Sequence, residues 1–306
     1  MFFCYKRPEH TRRSLESLAQ NELAEASELF IFCDGAKKSE DLKAVTQVRR
    51  VVKDRQWCGQ VHIIEREQNF GLADSIIQGV TEIINIHGKI IVLEDDMITS
   101  RYFLNFVNDA LDLYEKEEKI ACVSGFCHPI PINDTYFIRG AEIWGWGTWK
   151  RAWDLFEPDA GKLFQELKSQ NLTHRFDMDG TFPCTRILRD QMDGKINSWG
   201  IHWYASVFLA GKLHLYPPQS LIKNIGRDGS GTHKEFFTAQ EPDVYNRPIH
   251  LSKIDIEESE CARHLLINYF HKERGIKFIM IKILESFLRR LGLLNQFRCN
   301  FEPNRL

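Results

Sequence analysis

Residues 89–96 of this chain are Lys-Ile-Ile-Val-Leu-Glu-Asp-Asp, an apolar run that ends in three acidic side chains. An apolar run of this length is typical of a fully buried strand in a parallel sheet. Open α/β sheets bind their ligands at the carboxyl ends of the strands. Glu94, Asp95 and Asp96 are therefore predicted to lie at the ligand-binding edge of such a sheet.

Three neighbouring carboxylates at a buried strand end need compensating charge. Two carboxylates about 4 Å apart repel by about 4 kcal/mol at an effective dielectric of roughly 20, so a cation or protons must be present. Mg²⁺ or Mn²⁺, held by one or two carboxylates together with phosphate oxygens and water, meets this need. The alternative is a solvated acidic turn that caps the next helix, since Thr99 and Ser100 precede the apolar pattern of 102–113.

The composition indicates a globular protein and argues against nucleic-acid binding. The 306 residues are 43% hydrophobic, and 40 Lys and Arg against 42 Asp and Glu leave a formal net charge of −2, too little positive charge for bulk attraction to a polyanion. The eight cysteines are scattered without a CxxC pair, which predicts reduced, buried thiols in a cytosolic protein. We expect no signal peptide or membrane span, and a first strand that is either short or begins upstream of Met1.

Hydrophobic periodicity predicts a βαβαβαβ order in the first 125 residues and hence a parallel sheet. The predicted strands are 2–5, 28–33, 61–65, 89–93 and 120–124, and the predicted helices are 9–20, 38–55, 71–86 and 100–116.

The rest of the chain is less regular. Residues 125–235 are rich in Trp, Gly and Pro and are expected to be built largely of loops. Residues 276–294 carry an apolar stripe beside basic side chains, which predicts either contact with an anionic membrane surface or an ordinary packed helix. We therefore divide the chain into a regular α/β half (1–125), a less regular half of the same domain (126–240) and a helical extension (241–306).

Polar side chains follow four successive predicted strands. Arg7 follows the first, Asp34 the second, Asn69 the third, and the acidic residues 94–96 the fourth. Because the carboxyl ends of parallel strands share one edge, we expect all four to face one crevice.

With these strand ends the chain resembles nucleotide-sugar-dependent glycosyltransferases of the GT-A fold. Among them it is most similar to bacterial relatives of the N-acetylglucosaminyltransferase I type and family 2-like sugar transferases. The resemblance covers about residues 2–237. It rests, in chain order, on Tyr5-Lys6-Arg7-Pro8, Asp34, Asn69-Phe70-Gly71-Leu72, Glu94-Asp95-Asp96, Arg101-Tyr102-Phe103-Leu104-Asn105-Phe106, Trp144-Gly145-Trp146-Gly147-Thr148-Trp149 and Asn224-Ile225-Gly226. It implies a Rossmann-like, mostly parallel sheet flanked by helices, with a helical C-terminal extension. It also implies that residues 1–125 are the nucleotide-sugar-binding half and residues 126–240 the acceptor-side half of the same domain.

The resemblance also implies roles for individual residues. Asp96 would ligate Mn²⁺ or Mg²⁺, Asp95 would face the ribose or the metal, and Glu94 would lie toward the donor sugar. The remaining implied contacts are Asp34 with the base, Tyr5, Arg7 and Asn69 with the nucleotide, Trp146 and Trp149 with the acceptor side, Ser230 with phosphate, and His233 with phosphate or metal.

The catalytic base is where the sequence departs from the family. Related enzymes carry a carboxylate between two tryptophans, whereas this chain has Trp199-Gly200-Ile201-His202-Trp203. A base within about 3 Å of the acceptor oxygen contributes typically 10² to 10⁴ in rate. We rank Asp190, Asp193 and His202, in that order, as candidates.

The resemblance implies a metal-dependent hexosyl- or N-acetylhexosaminyltransferase. Its donor would be a UDP-sugar, its acceptor a glycan or lipid-linked sugar, its reaction inverting, and its context bacterial surface polysaccharide assembly. We expect it in the cytoplasm, with residues 276–294 as a peripheral contact to the inner face of the plasma membrane. One alternative is a non-catalytic nucleotide-sugar or glycan-binding module, because Gly200 replaces the expected acid. A sugar nucleotidyltransferase is less favoured, since its first loop would be rich in glycine.

Overall fold

A computed structural model of the chain describes residues 1–226, 228 and 243–273. The amino-terminal part alternates strands and helices as predicted, with boundaries that mostly agree to within a few residues. Its elements are β1 (Phe2–Cys4), α1 (Pro8–Ala19), β2 (Glu28–Cys33), α2 (Leu42–Lys53), β3 (Gln60–Glu65), α3 (Leu72–His87), β4 (Lys89–Glu94), β5 (Met97–Thr99), α4 (Phe103–Leu113) and β6 (Ile120–Ser124). The short strand β5, directly after the acidic residues, was not predicted.

The second half is more regular than its composition suggested. The prediction of a loop-built region over 125–235 is wrong, because the described residues of that region add strands to the same sheet and helices around it. Its elements are β7 (Tyr136–Arg139), β8 (Trp146–Trp149), α5 (Lys150–Trp153), α6 (Ala160–Ser169), α7 (Thr173–Phe176), α8 (Cys184–Met192), α9 (Trp199–Leu209), β9 (Leu213–Tyr216) and β10 (Ile222–Asn224). Periodicity did not predict these elements, because the strands are short and because α9 is apolar on all sides and lacks an amphipathic pattern.

Eight of the described strands form one sheet in the order β3-β2-β1-β4-β8-β6-β9-β7. The other two, β5 and β10, pair with each other in a separate ribbon. Strands β8 and β7 run antiparallel to their neighbours, and the other six share one direction. The fold is therefore the predicted α/β class, with a mostly parallel, Rossmann-like sheet flanked by helices.

The sheet register brings distant segments to one edge. Cys4 of β1 pairs with Cys33 of β2, and Phe3 pairs with Glu94 of β4. The chain therefore leaves these three strands at the same level, just before Tyr5, Asp34 and Asp95.

The core lies on both faces of the sheet, because successive strand residues point to opposite sides. Phe2 and Leu93 pack with α1, α2 and α4 on one face. Phe3 and Val92 pack with α3 and α9 on the other, where the side chains of four tryptophans also lie. Continuous apolar strands are what a sheet covered on both faces requires.

The carboxyl-terminal part of the described chain is only partly helical. Residues 243–259 contain no helix, and residues 260–273 are helical. Arg263 in this helix forms two hydrogen bonds with Asp179, of 2.6 and 3.0 Å, and Leu266 is buried. Residues 276–294, predicted to touch a membrane, lie outside the described residues. Within the described part of the chain, no helix is long and apolar enough to cross a membrane.

The cysteines largely follow the prediction of buried thiols. Among the described residues, all cysteines are free; Cys261 is exposed, and the buried ones are Cys4, Cys33, Cys58, Cys122, Cys127 and Cys184.

Candidate functional site

The carboxyl ends of β1 and β4 meet in a group of opposite charges. The Nη2 atom of Arg7 donates to Oδ2 of Asp96 at 3.0 Å and also to Oδ1 of Asp95. Arg7 directly precedes α1, and its carbonyl oxygen accepts the backbone N–H of Thr11 at 2.9 Å. The structure thus brings together Arg7 and the acidic residues, as the strand-end pattern predicted.

The three acidic side chains, Glu94, Asp95 and Asp96, carry more negative charge than the neighbouring Arg7 compensates. Burial, followed by the charges of Asp96 and Asp95, raises the pKa of Glu94 to about 8. Burial also raises the pKa of Asp95, although Arg7 opposes this shift. Burial alone would lower the pKa of Arg7, but its two carboxylate partners raise it above its usual range. One guanidinium therefore does not fully compensate three acids, and a further cation would be stabilised here.

Asp96 has the chemistry of a metal ligand. Its Oδ1 atom is buried and has no hydrogen-bond partner among the described residues. No group of three or more His, Cys, Asp or Glu side chains suited to a metal occurs in the part of the chain that the structure describes. Mg²⁺ and Mn²⁺ at nucleotide sites commonly use one or two carboxylates and take their other ligands from phosphate and water. Asp96 with its neighbours fits that arrangement and does not fit an all-protein cage.

The backbone at Gly226 lies against the carboxylate of Asp96 and the guanidinium of Arg7. The backbone N–H of Ile225 donates to the carbonyl oxygen of Asp96 at 2.8 Å. A Cβ on Gly226 would collide with Oδ2 of Asp96 and would lie 3.0 Å from Nη1 of Arg7. Only a glycine lets the backbone approach so closely. The sequence signal for this contact is the glycine that follows the Asn-Ile pair.

Asp34 organises a loop instead of presenting a free carboxylate. Its Oδ1 accepts the N–H groups of Gly35 and Phe70, and its Oδ2 accepts Asn69 Nδ2 and the N–H of Gly71, all at 2.9 Å. Asp34 is 6% exposed, so both oxygens are saturated by its own protein. The four hydrogen bonds give the Asp34 carboxylate a role within the protein, and its contact with the base stays a prediction. Asn69, whose Nδ2 also donates to Gly35, is equally engaged.

Tyr5 and the residue after it are tied to the segment that follows β2. The Tyr5 hydroxyl donates to Oδ2 of Asp41 at 2.8 Å and accepts the N–H of Lys37 at 3.0 Å. Lys6 donates to Oδ1 of Asp41 at 2.7 Å, and this bond lowers the pKa of the Asp41 carboxyl. Tyr5 stays a predicted nucleotide contact through its half-buried ring.

Gly200, the position at which the sequence resemblance implies an acid, packs closely against a neighbouring side chain. A Cβ on Gly200 would lie 2.5 Å from Cδ1 of Ile143. The residue before Ile143 is an acid, Glu142, whose Oε1 accepts the N–H of Ile143 at 2.9 Å. Its one signal in the sequence is an acid two positions before the Trp-Gly segment.

The three predicted bases do not join the acidic group. Asp190 and Asp193 pair with Lys195, at 3.4 and 2.7 Å. His202 is 7% exposed, its Nδ1 lies 3.2 Å from the carbonyl oxygen of Glu157, and burial lowers its pKa. In the described structure, none of the three forms a hydrogen bond or ion pair with residues 94–96. Their catalytic role remains a prediction.

Trp146 and Trp149 belong to the core, and their role as an acceptor-side wall stays a prediction. They are 1% and 3% exposed. The ring of Trp146 stacks on that of Trp199 at 5.4 Å, and Trp149 pairs with Lys89 at the opposite end of β4. Trp144, which is half-buried and whose ring lies 4.7 Å from that of Phe126, is the tryptophan at the carboxyl edge.

Ser230 and His233 lie outside the described residues. The last described position before them is Asp228, whose Oδ2 lies 3.1 Å from Nε2 of His10 in α1.

Comparison with known proteins identifies no family: no protein-family model and no curated protein sequence matches the chain. Among solved structures, the chain is similar to a mannosyltransferase from Pyrobaculum calidifontis in complex with GDP-Man and Mn²⁺, with 13% identity and a TM-score of 0.32 over 42% of this chain. It spans only 34% of that enzyme. It is also similar to UDP-glucose pyrophosphorylase complexed with UDP-glucose, with 13% identity and a TM-score of 0.34 over 71% of this chain and 88% of the other. Similarities this weak identify neither substrate nor reaction.

Proposed function

We propose that this protein is a metal-dependent glycosyltransferase that moves a sugar from a nucleotide-sugar donor, first of all a UDP-sugar, to a glycan or lipid-linked acceptor. The observation that carries the proposal is the junction of Arg7, Asp96 and Gly226 at the carboxyl edge of the sheet. It combines a cation, a carboxylate oxygen without a partner, and a close backbone approach. Diphosphates with divalent ions are bound by groups of these kinds.

The residues at this edge would have separate roles in such a transfer. Asp96 would hold Mn²⁺ or Mg²⁺, which supplies positive charge to the leaving nucleoside diphosphate. Arg7 would donate hydrogen bonds to phosphate oxygens. The acceptor hydroxyl needs a base, for which Asp190, Asp193, His202 and now Glu142 are candidates. Inversion, surface polysaccharide assembly and a cytoplasmic place at the inner membrane face are proposed on the sequence resemblance alone.

The direct test measures nucleoside diphosphate release from a panel of nucleotide sugars, with Mn²⁺ and an acceptor extract. We expect Asp96→Asn to reduce metal-dependent release by at least about 100-fold, as loss of a key charge-stabilising group does. Asp54→Asn is the matched control, because Asp54 is an exposed carboxylate that pairs with Arg12 at 3.1 Å. Unchanged Mn²⁺-dependent donor affinity in Asp96→Asn would contradict the site assignment.

A non-catalytic nucleotide-sugar-binding module is the second candidate. The absence of a carboxylate at Gly200, under the side chain of Ile143, favours it. Donor binding without nucleoside diphosphate release, for every donor and acceptor, would support this module. Pyrophosphate release from a nucleoside triphosphate and a sugar phosphate would instead indicate a nucleotidyltransferase.

A further inference from the structure

We infer that Arg7 is a competing cation that keeps Asp95 and Asp96 closed to a divalent ion until a diphosphate draws its guanidinium away. The inference rests on the proposed function and concerns the order in which the same site takes up its ligands. It makes metal binding depend on the nucleotide through one side chain of the protein.

The first observation is how Arg7 holds the acids. A single nitrogen, Nη2, bonds both carboxylates, and the side chains of Arg7, Asp95 and Asp96 are only 19%, 6% and 14% exposed. Charge-assisted hydrogen bonds of this kind are roughly twice as strong as neutral ones. A metal ion that takes Oδ2 of Asp96 has to displace this nitrogen.

The second observation concerns the two carboxylate oxygens of Asp96. Oδ1 of Asp96 is buried, and the backbone of Gly226 lies against Oδ2. A hydrated Mn²⁺ ion that approaches Oδ2 therefore meets an oxygen that is bonded to Arg7 and faced by Gly226. Oδ2 loses its guanidinium partner only when the Arg7 side chain moves.

The third observation is that Arg7 can move without unfolding its surroundings. Its backbone is held at the start of α1, where its carbonyl oxygen accepts both the N–H and the hydroxyl of Thr11, at 2.9 and 2.8 Å. The described hydrogen bonds of its side chain go only to Asp95 and Asp96. Phosphate oxygens match the fork of donors on a guanidinium, so a diphosphate beside the acids would provide Arg7 with new partners.

Such an exchange couples the two ligands. If the diphosphate draws Arg7 away, it raises the affinity for the metal, and by linkage the metal raises the affinity for the diphosphate by the same factor. We expect the affinity of the wild-type protein for Mn²⁺ to rise by roughly 5- to 150-fold when UDP is present, the usual range of such coupling.

The experiment is a Mn²⁺ titration followed by electron paramagnetic resonance of the free ion, with and without UDP. Arg7→Met removes the competing charge and keeps an apolar side chain of similar reach. We expect it to bind Mn²⁺ without UDP on the order of 10-fold more tightly than wild type. Its UDP effect should be smaller than in wild type, and the part that remains comes from phosphate oxygens that bind the ion directly. Lys6→Met removes the same charge one residue earlier, from a side chain that pairs with Asp41, and should change the Mn²⁺ affinity far less. Arg7→Lys should lie between wild type and Arg7→Met.

Several outcomes would overturn the inference. A folded Arg7→Met variant, judged by circular dichroism, with unchanged or weaker Mn²⁺ binding would do so, as would equal tightening in Lys6→Met. If Arg7→Met does not fold, Mn²⁺ affinity of the wild type that is independent of UDP overturns it. Failure of the proposed function looks different, because then Asp96→Asn would bind Mn²⁺ and UDP as the wild type does.

Discussion

Replacing Asp34 by Asn tests whether this buried carboxylate organises a loop or binds a nucleotide base. Asp34 accepts four hydrogen bonds, two on each oxygen, from the N–H groups of Gly35, Phe70 and Gly71 and from Asn69 Nδ2. Asparagine offers one oxygen for two of these donors. Its NH₂ group would face the other two, which could not bond to it.

The expected loss follows from these bonds. A hydrogen bond to a charged group contributes about 1.5–3 kcal/mol, so two lost bonds lower the free energy of unfolding by about 3–6 kcal/mol. Whole proteins are stable by only about 5–15 kcal/mol. With a urea m-value of about 3 kcal/mol/M, the midpoint of unfolding of Asp34→Asn should fall by at least about 1 M.

The assay is urea unfolding followed by tryptophan fluorescence, together with UDP affinity of the folded protein. Asp74→Asn is the control, since Asp74 is an exposed acid in the first turn of α3 and should contribute less than about 1 kcal/mol. A wild-type urea midpoint in Asp34→Asn combined with a large loss of UDP affinity would refute the structural role and support the predicted base contact.

Two further predictions concern buried side chains. His214 is fully buried, its Nδ1 accepts the N–H of Glu142 at 2.6 Å, and burial lowers its pKa to about 3. An unfolded histidine has a pKa of about 6.5, so below that pH the unfolded chain takes up a proton on His214 that the folded protein does not. Between pH 7 and pH 5 the free energy of unfolding should therefore fall by about 2 kcal/mol more in the wild type than in His214→Gln. Urea unfolding at both pH values measures this, and an equal fall in the two proteins would contradict it. Trp146→Ala should lower the free energy of unfolding by about 3–5 kcal/mol, as large core deletions do, and the half-buried Trp144→Ala by less. Equal stability of the two variants would argue against a core role for Trp146.

The site could be predicted in part because the end of a strand can be recognised from a short stretch of sequence. The apolar run of β4 and the polar residue after each parallel strand sufficed to place Arg7, Asp34, Asn69 and residues 94–96 at one edge. The catalytic base could not be predicted in this way. Whether Asp190, His202 or Glu142 reaches an acceptor depends on how α8, α9 and the segment before β8 pack, and side-chain packing has no signature in a short stretch of sequence.

The α/β class, most of the order of elements up to β6 and the edge where the acids emerge can be read from the amino-acid sequence, because hydrophobic period and turn residues act over a few neighbours. The hydrogen-bond partners of each polar group cannot, and they are visible only in the folded protein. Arg7 and Asp96 stand 89 positions apart, and Asp34 reaches Gly71 across 37. Such partners depend on sheet register and loop closure, so the same carboxylate type is a saturated loop anchor at Asp34 and a candidate metal ligand at Asp96.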